Sequence, residues 1–116
     1  MSNYVHHGEL LSVVKEDSSV LLELKIPANL YYFQGHFPGA PVLPGVVLIH
    51  WVVEYASEYF DVDPSKFQSF NGLKFQIIVG PGYTLKLKLD QINPNKYTFS
   101  YNSEHGKHAS GKVLFV

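Results

Sequence analysis

The chain has 116 residues, 46% of them hydrophobic and 16% charged, a length that fits one domain over residues 1–116. Its net charge of −1 excludes the footprint of a nucleic-acid binder, and its nine basic residues are all lysines, so no guanidinium clamp for phosphate or carboxylate exists. With no cysteine, disulfides, thiolate nucleophiles and thiolate metal sites are excluded as well.

The low charge content points to surface hidden in an oligomer or around an apolar ligand. The opening "MSNYVHHGEL" lacks a basic region followed by an apolar stretch, so the expected compartment is the cytoplasm. The longest apolar run is interrupted by His50 and Glu54 and is too short to span a bilayer.

In chain order, "YVHHGELLSVV" is expected to be a strand, with "KEDSS" turning into "SVLLELKIP". That second segment sets Val20, Leu22, Leu24 and Ile26 against Leu21, Glu23 and Lys25 with a period of two. A Gly- and Pro-rich loop follows, "FQGHFPGAPVLPG". From Gly45 to about Phe60 the spacing predicts a helix, with Pro44 suited to its first turn because a missing N–H has no helical partner there. Val46 to Ile49 and Trp51 to Val53 leave hardly a polar face, so this helix is expected to be buried all round. "DVDPSK" ends it. The remainder reads as strands and turns: "SFNGLKFQIIV", the "GPG" turn, "YTLKLKLDQI" with Leu85, Leu87 and Leu89 on one face, "KYTFSYN" with Tyr97, Phe99 and Tyr101 on one face, and "HASGKVLFV". One apolar helix among at least five strands implies an α+β architecture, an antiparallel sheet wrapped around one helix. A sheet covers only one side of a helix, and a second subunit is expected on the other.

The loop carries the chemistry. Glycines admit backbone geometries closed to other residues and prolines fix φ, so "FQGHFPGAPVLPG" holds His36 at little further entropic cost. Imidazole exchanges a proton near neutral pH. The helix starting at Gly45 aims free N–H groups and its positive dipole end at whatever lies beside it. A base next to a preorganised anion site is a catalytic pairing; the bland alternative is a tight connection in which His36 merely packs. His6 and His7 open the chain and His105 and His108 flank a turn, but no spacing makes a compact ligand set, so exposed histidines and no metal are expected. The aromatics Tyr31, Tyr32, Phe33 and Phe37 either line an apolar tunnel or pack the core.

"GHFPGAPVLPGV" resembles the signature loop of the hot-dog-fold 3-hydroxyacyl-[acyl carrier protein] dehydratases. "GLKFQIIVGPGYTLKLKL" is similar to that family's strand, Pro-Gly turn and strand, and "HASGKVLFV" to its last strand. The short chain and the "LPGVVLIHW" variant look most like the dehydratase-like proteins of aryl polyene biosynthesis. The resemblance implies a hot-dog fold, a homodimer or larger assembly with shared active sites, and an acyl carrier protein as substrate-bearing partner. It implies dehydration of a 3-hydroxyacyl thioester to the trans-2-enoyl thioester, an elimination that needs no metal or redox cofactor. By position, His36 matches the catalytic histidine and Gly45 the glycine whose N–H polarises the thioester carbonyl; Phe37 and Pro44 join Gly45 as expected substrate contacts. His50 stands where the family has Asp or Glu, and Glu54 where elongation-type members often have Gln. Elimination needs a base for the C2 proton and a donor for the leaving hydroxyl. Glu54 lies i+4 from His50 on one helix face and either holds His50 protonated against desolvation or donates itself. The structural alternatives are a buried His50 bonded across the dimer and Glu54 at its edge. Two other functions stay open: a hot-dog thioesterase and a non-catalytic acyl-binding or partner subunit, the latter suggested by the missing acid at position 50.

Overall fold

A computed structural model describes residues 5–33 and 41–116. It contains β1 (Glu9–Lys15), β2 (Ser19–Lys25), α1 (Gly45–Phe60), β3 (Phe67–Phe75), β4 (Thr84–Asn93), β5 (Lys96–Ser103) and β6 (Gly106–Phe115), with short 3-10 turns at Tyr31–Phe33 and Pro64–Lys66. The strands form one antiparallel sheet in the order β1-β2-β4-β5-β6-β3. The sheet and α1 share one core, as the α+β reading expects.

Alternation becomes layering through register. Leu22 pairs with Leu87, which pairs with Tyr101; Val20 pairs with Leu89, which pairs with Phe99. All six are buried, while Lys86 and Lys88 between them point to solvent. Burying each large apolar side chain is worth about 1.5–3 kcal/mol. From α1, Val47, Leu48, Trp51, Val52 and Ala56 pack onto this layer.

The helix departs from expectation in two respects. It is not buried all round: Val46 is exposed, Ile49 and Val53 are half-buried, and His50 faces out. One chain has only one sheet, and the stripe turned away from it stays uncovered. Pro44 sits at the N-cap rather than in the first turn, with φ −62° and ψ 141°. Its carbonyl accepts from Val47 N–H at 3.0 Å, and Gly45 is the first helical residue.

The N-terminal strand is shorter than "YVHHGELLSVV" suggests. Pairing with β2 begins at Glu9, and the chain before it runs elsewhere, forming a parallel bridge between Val5 and Leu30.

Tyr101 ties helix to sheet: its buried hydroxyl donates to Leu48 O at 2.7 Å. Burial, with smaller contributions from Tyr55 and Glu54, raises its pKa well above the ordinary 10.0. Stability is therefore intact below about pH 10 and falls as pH climbs toward the folded value, because the unfolded chain releases a proton that the folded one retains. Tyr101→Phe is expected to lose about 1 kcal/mol at neutral pH and to soften the alkaline loss. Denaturant titrations at pH 7 and above pH 10 measure both; an unchanged neutral midpoint would show that the bond contributes nothing.

Candidate active site

An apolar cleft of about 440 Å³ opens at the N-terminus of α1. Val42 to Val46 and Leu48 form one wall, and Phe75 to Val79 with His108 form the other. Leu43 N–H donates to Val79 O at 2.9 Å and stitches the two together. The expected substrate contacts Pro44 and Gly45 both line the cleft. His36 and Phe37 lie outside the described residues. Of the other aromatics, Phe33 is buried in the core, Tyr32 packs against it, and Tyr31 stacks on His6 at 5.0 Å; none lines the cleft.

Gly45 packs closely against Phe75. A Cβ there would come within 2.7 Å of Phe75 Cε1, and Phe75 is half-exposed at the cleft wall. Because that ring can tilt, Gly45→Ala is expected to cost no more than about 1 kcal/mol in stability while crowding the cleft. A several-fold rise in KM for an acyl thioester with little change in Tm would bear this out; an unchanged KM would mean that substrate does not use this cleft.

His50 and Glu54 come together but not on this cleft. His50 Nε2 lies 3.1 Å from Glu54 Oε1, and His7 Nε2 lies 3.2 Å from Glu54 Oε2. Oε1 is hidden from solvent and has no well-directed hydrogen bond, so its approach to His50 is an ion-pair contact at a poor angle. The apolar surroundings expected for His50 are absent within one chain: its side chain is 67% exposed. Burial, then Tyr59 and Glu58, and least of all the Glu54 carboxylate raise the Tyr55 pKa to about 12.

His108 was expected to be exposed and is instead 1% exposed, on the cleft wall. Its Nδ1–H donates to Ile77 O at 3.0 Å. Its Nε2 meets Ser103 Oγ at 2.6 Å, and that oxygen also accepts from His105 N–H at 3.0 Å. Both ring nitrogens are engaged, so His108 ties the cleft wall to the end of β5. Its own carbonyl accepts from Gln76 N–H at 2.9 Å. The cause is a bulge: Tyr101 pairs with Ala109 while Asn102 pairs with Lys107, leaving His108 as the extra residue. Strict alternation along "HASGKVLFV" carries no sign of it.

The model of the ApeI-like family, described as ApeI dehydratase, matches residues 12–112. The chain belongs to the ApeI-like dehydratase family. It is also similar to 3-hydroxyacyl-[acyl-carrier-protein] dehydratase FabZ of Pediococcus pentosaceus, 37% identical over 84 residues, covering 67% of this chain and 56% of the relative. The chain thus spans little more than half the length of that curated relative. Among solved structures, the dehydratase heterocomplex ApeI:P from Xenorhabdus doucetiae superposes with a TM-score of 0.82 at 31% identity, over 92% of this chain and 96% of that one. The dehydratase domain of PpsC from Mycobacterium tuberculosis superposes at 0.77 with 17% identity, over 97% of this chain and 44% of that one, a likeness of fold. The ApeI-like chain has the hot-dog fold: one long helix held by a six-stranded antiparallel sheet. No helix among the described residues is long and apolar enough to cross a membrane.

Proposed function

We propose that the chain dehydrates a 3-hydroxyacyl thioester on acyl carrier protein to the trans-2-enoyl thioester, in fatty-acid-like or aryl polyene biosynthesis. The observation that carries this reading is the apolar cleft at the N-terminus of α1, lined by Pro44 and Gly45, with the sequence motif "GHFPG" just before them in the chain. In the reaction, His36 takes the C2 proton. Gly45 N–H and the helix dipole stabilise the enolate-like thioester oxygen. The C3–O bond breaks as the donor protonates the hydroxyl, the electron pair forms the C2=C3 bond, and water leaves. No electron is gained or lost overall, so the reaction calls for no redox cofactor.

His50 and Glu54 lie off the chain's own cleft, which supports a site completed by a second subunit. The exposed Val46, Phe75 and Ile78, beside the edge strand β3, support the same reading. A second copy gives this second half in a homodimer; in the Xenorhabdus relative the assembly is a heterocomplex, and a different chain would play that part here. Light scattering of the purified chain is expected to show at least a dimer. A stable monomer at micromolar concentration would sink the homodimeric site.

The activity is tested by incubating the protein with a 3-hydroxyacyl carrier protein and weighing the products. Loss of water supports the dehydratase. Release of a free acid would make the chain a thioesterase, and an unchanged substrate would make it an acyl-binding or partner subunit.

A further inference from the structure

The cleft at the N-terminus of α1 has an open side and a deep side. On it, Val46, Phe75 and Ile78 are exposed, whereas Leu48, Val79 and His108 are buried. Among the described lining residues only Gln76 and His108 carry polar side chains, and Gln76 is exposed. The deep side therefore consists of aliphatic side chains and one imidazole.

That imidazole offers a ligand no hydrogen bond. A carbonyl oxygen only accepts, so the contact with Ile77 O puts the ring proton on Nδ1. Nε2 then accepts from the Ser103 hydroxyl at 2.6 Å. With both nitrogens engaged inside the protein, the cleft meets ring carbon. The ring has little freedom to swing aside. Tyr83 lies against it with centroids 5.8 Å apart and is itself stacked on His105 at 4.0 Å. Ile77 packs so closely on the turn between β5 and β6 that a Cβ at Gly106 would stand 2.8 Å from its Cδ1.

Behind the ring lies a second cleft of about 610 Å³, bordered by Ser103 with Thr84, Lys86, Asn102 and Glu104. Ser103 touches this cleft and His108 the first, so their hydrogen bond spans the partition between the two. The bulge in β6 is what supplies the extra residue for that partition, and bulges commonly re-aim a side chain beside a site.

We propose that His108, tied to Ser103 and Ile77, is the end wall of the acyl cleft and sets the longest tail accepted. The tail it fits is apolar at its far end, since the wall presents neither a free donor nor a free acceptor. The inference rests on the reading of this cleft as the acyl site and adds to it a determinant of chain length.

The test uses the full chain in its native assembly. Its probes are acyl-pantetheine amides, unreactive analogues of the thioester, in a series of straight saturated chains, with affinities measured by calorimetry. In the parent protein affinity should rise with each added methylene until the tail meets the wall, and the next homologue should bind about tenfold more weakly. His108→Asn keeps an N–H for Ile77 O but is shorter than the ring, and should bind that rejected homologue about tenfold more tightly. Ser103→Ala keeps the ring and frees Nε2; it should move the cutoff the same way, and it decides the matter should His108→Asn not fold. Tyr97→Phe loses bonds to Gln91 and Pro94 at the other end of β5 and should leave the cutoff in place. A parent protein without a cutoff, a cutoff unmoved in the deciding variant, or one moved equally in Tyr97→Phe would overturn the proposal. Because the probes do not react, a parent protein that releases no water from a 3-hydroxyacyl carrier protein fails the dehydratase reading, while the cutoff still decides the role of His108.

Discussion

Replacing His36 by Ala is expected to lower kcat for dehydration by about 10²–10⁴-fold, the usual contribution of a positioned general base. The fold should survive. Residues 33–45, "FQGHFPGAPVLPG", hold three prolines and three glycines, and these backbone restraints remain when the imidazole is removed. Circular dichroism and the thermal midpoint should match the parent protein, so the lost rate reads as lost chemistry. An active His36→Ala variant would remove the histidine from the mechanism. A variant that no longer folds would mean that the ring packs the loop, and the base would have to be sought elsewhere.

The second large effect is expected at positions 50 and 54. His50→Ala should lower kcat about 10²-fold if His50 delivers the proton. His50→Glu should retain part of the activity, since a carboxylic acid also donates. Glu54→Gln keeps the shape and removes the carboxylate charge beside His50. The rate at neutral pH should therefore drop. His50 is 67% exposed in one chain, and solvent screens an exposed pair. If a second subunit completes the site, dilution to monomer should abolish activity. A silent Glu54→Gln together with a fully active His50→Ala would make position 50 structural.

The Xenorhabdus heterocomplex bears on how such variants are made. In a homodimer each variant alters both sites. In a mixed assembly the variant must be introduced into the subunit that supplies α1, and pairing it with an unaltered partner separates the roles of the two chains.

Much of the fold is legible in the sequence because it rests on short-range rules. The period-two runs in β2, β4 and β5 put Leu22, Leu87 and Tyr101 on the inner face whatever the strand order. The helix begins at Gly45 and ends at Phe60, with Asp61 in the left-handed conformation at φ 58°. Pro44 and Gly45 border the cleft because both the loop's end and the helix's start are encoded there. The association of His50 with Glu54 follows from helical spacing alone.

What only the tertiary structure decided depends on elements distant in sequence. Strand order puts β3 at an edge beside β6 although β4 follows it in the chain, and that crossing carries Phe75 to Gly45. A bulge between β5 and β6 turns His108 inward, which no alternation pattern records. The bridge from Val5 to Leu30 brings His7 to Glu54 across 47 positions. The outward stripe of α1 stays bare because one sheet has one concave side, which the run of apolar residues in the sequence does not record. Local periodicity determines which face a residue occupies; only packing determines what that face meets.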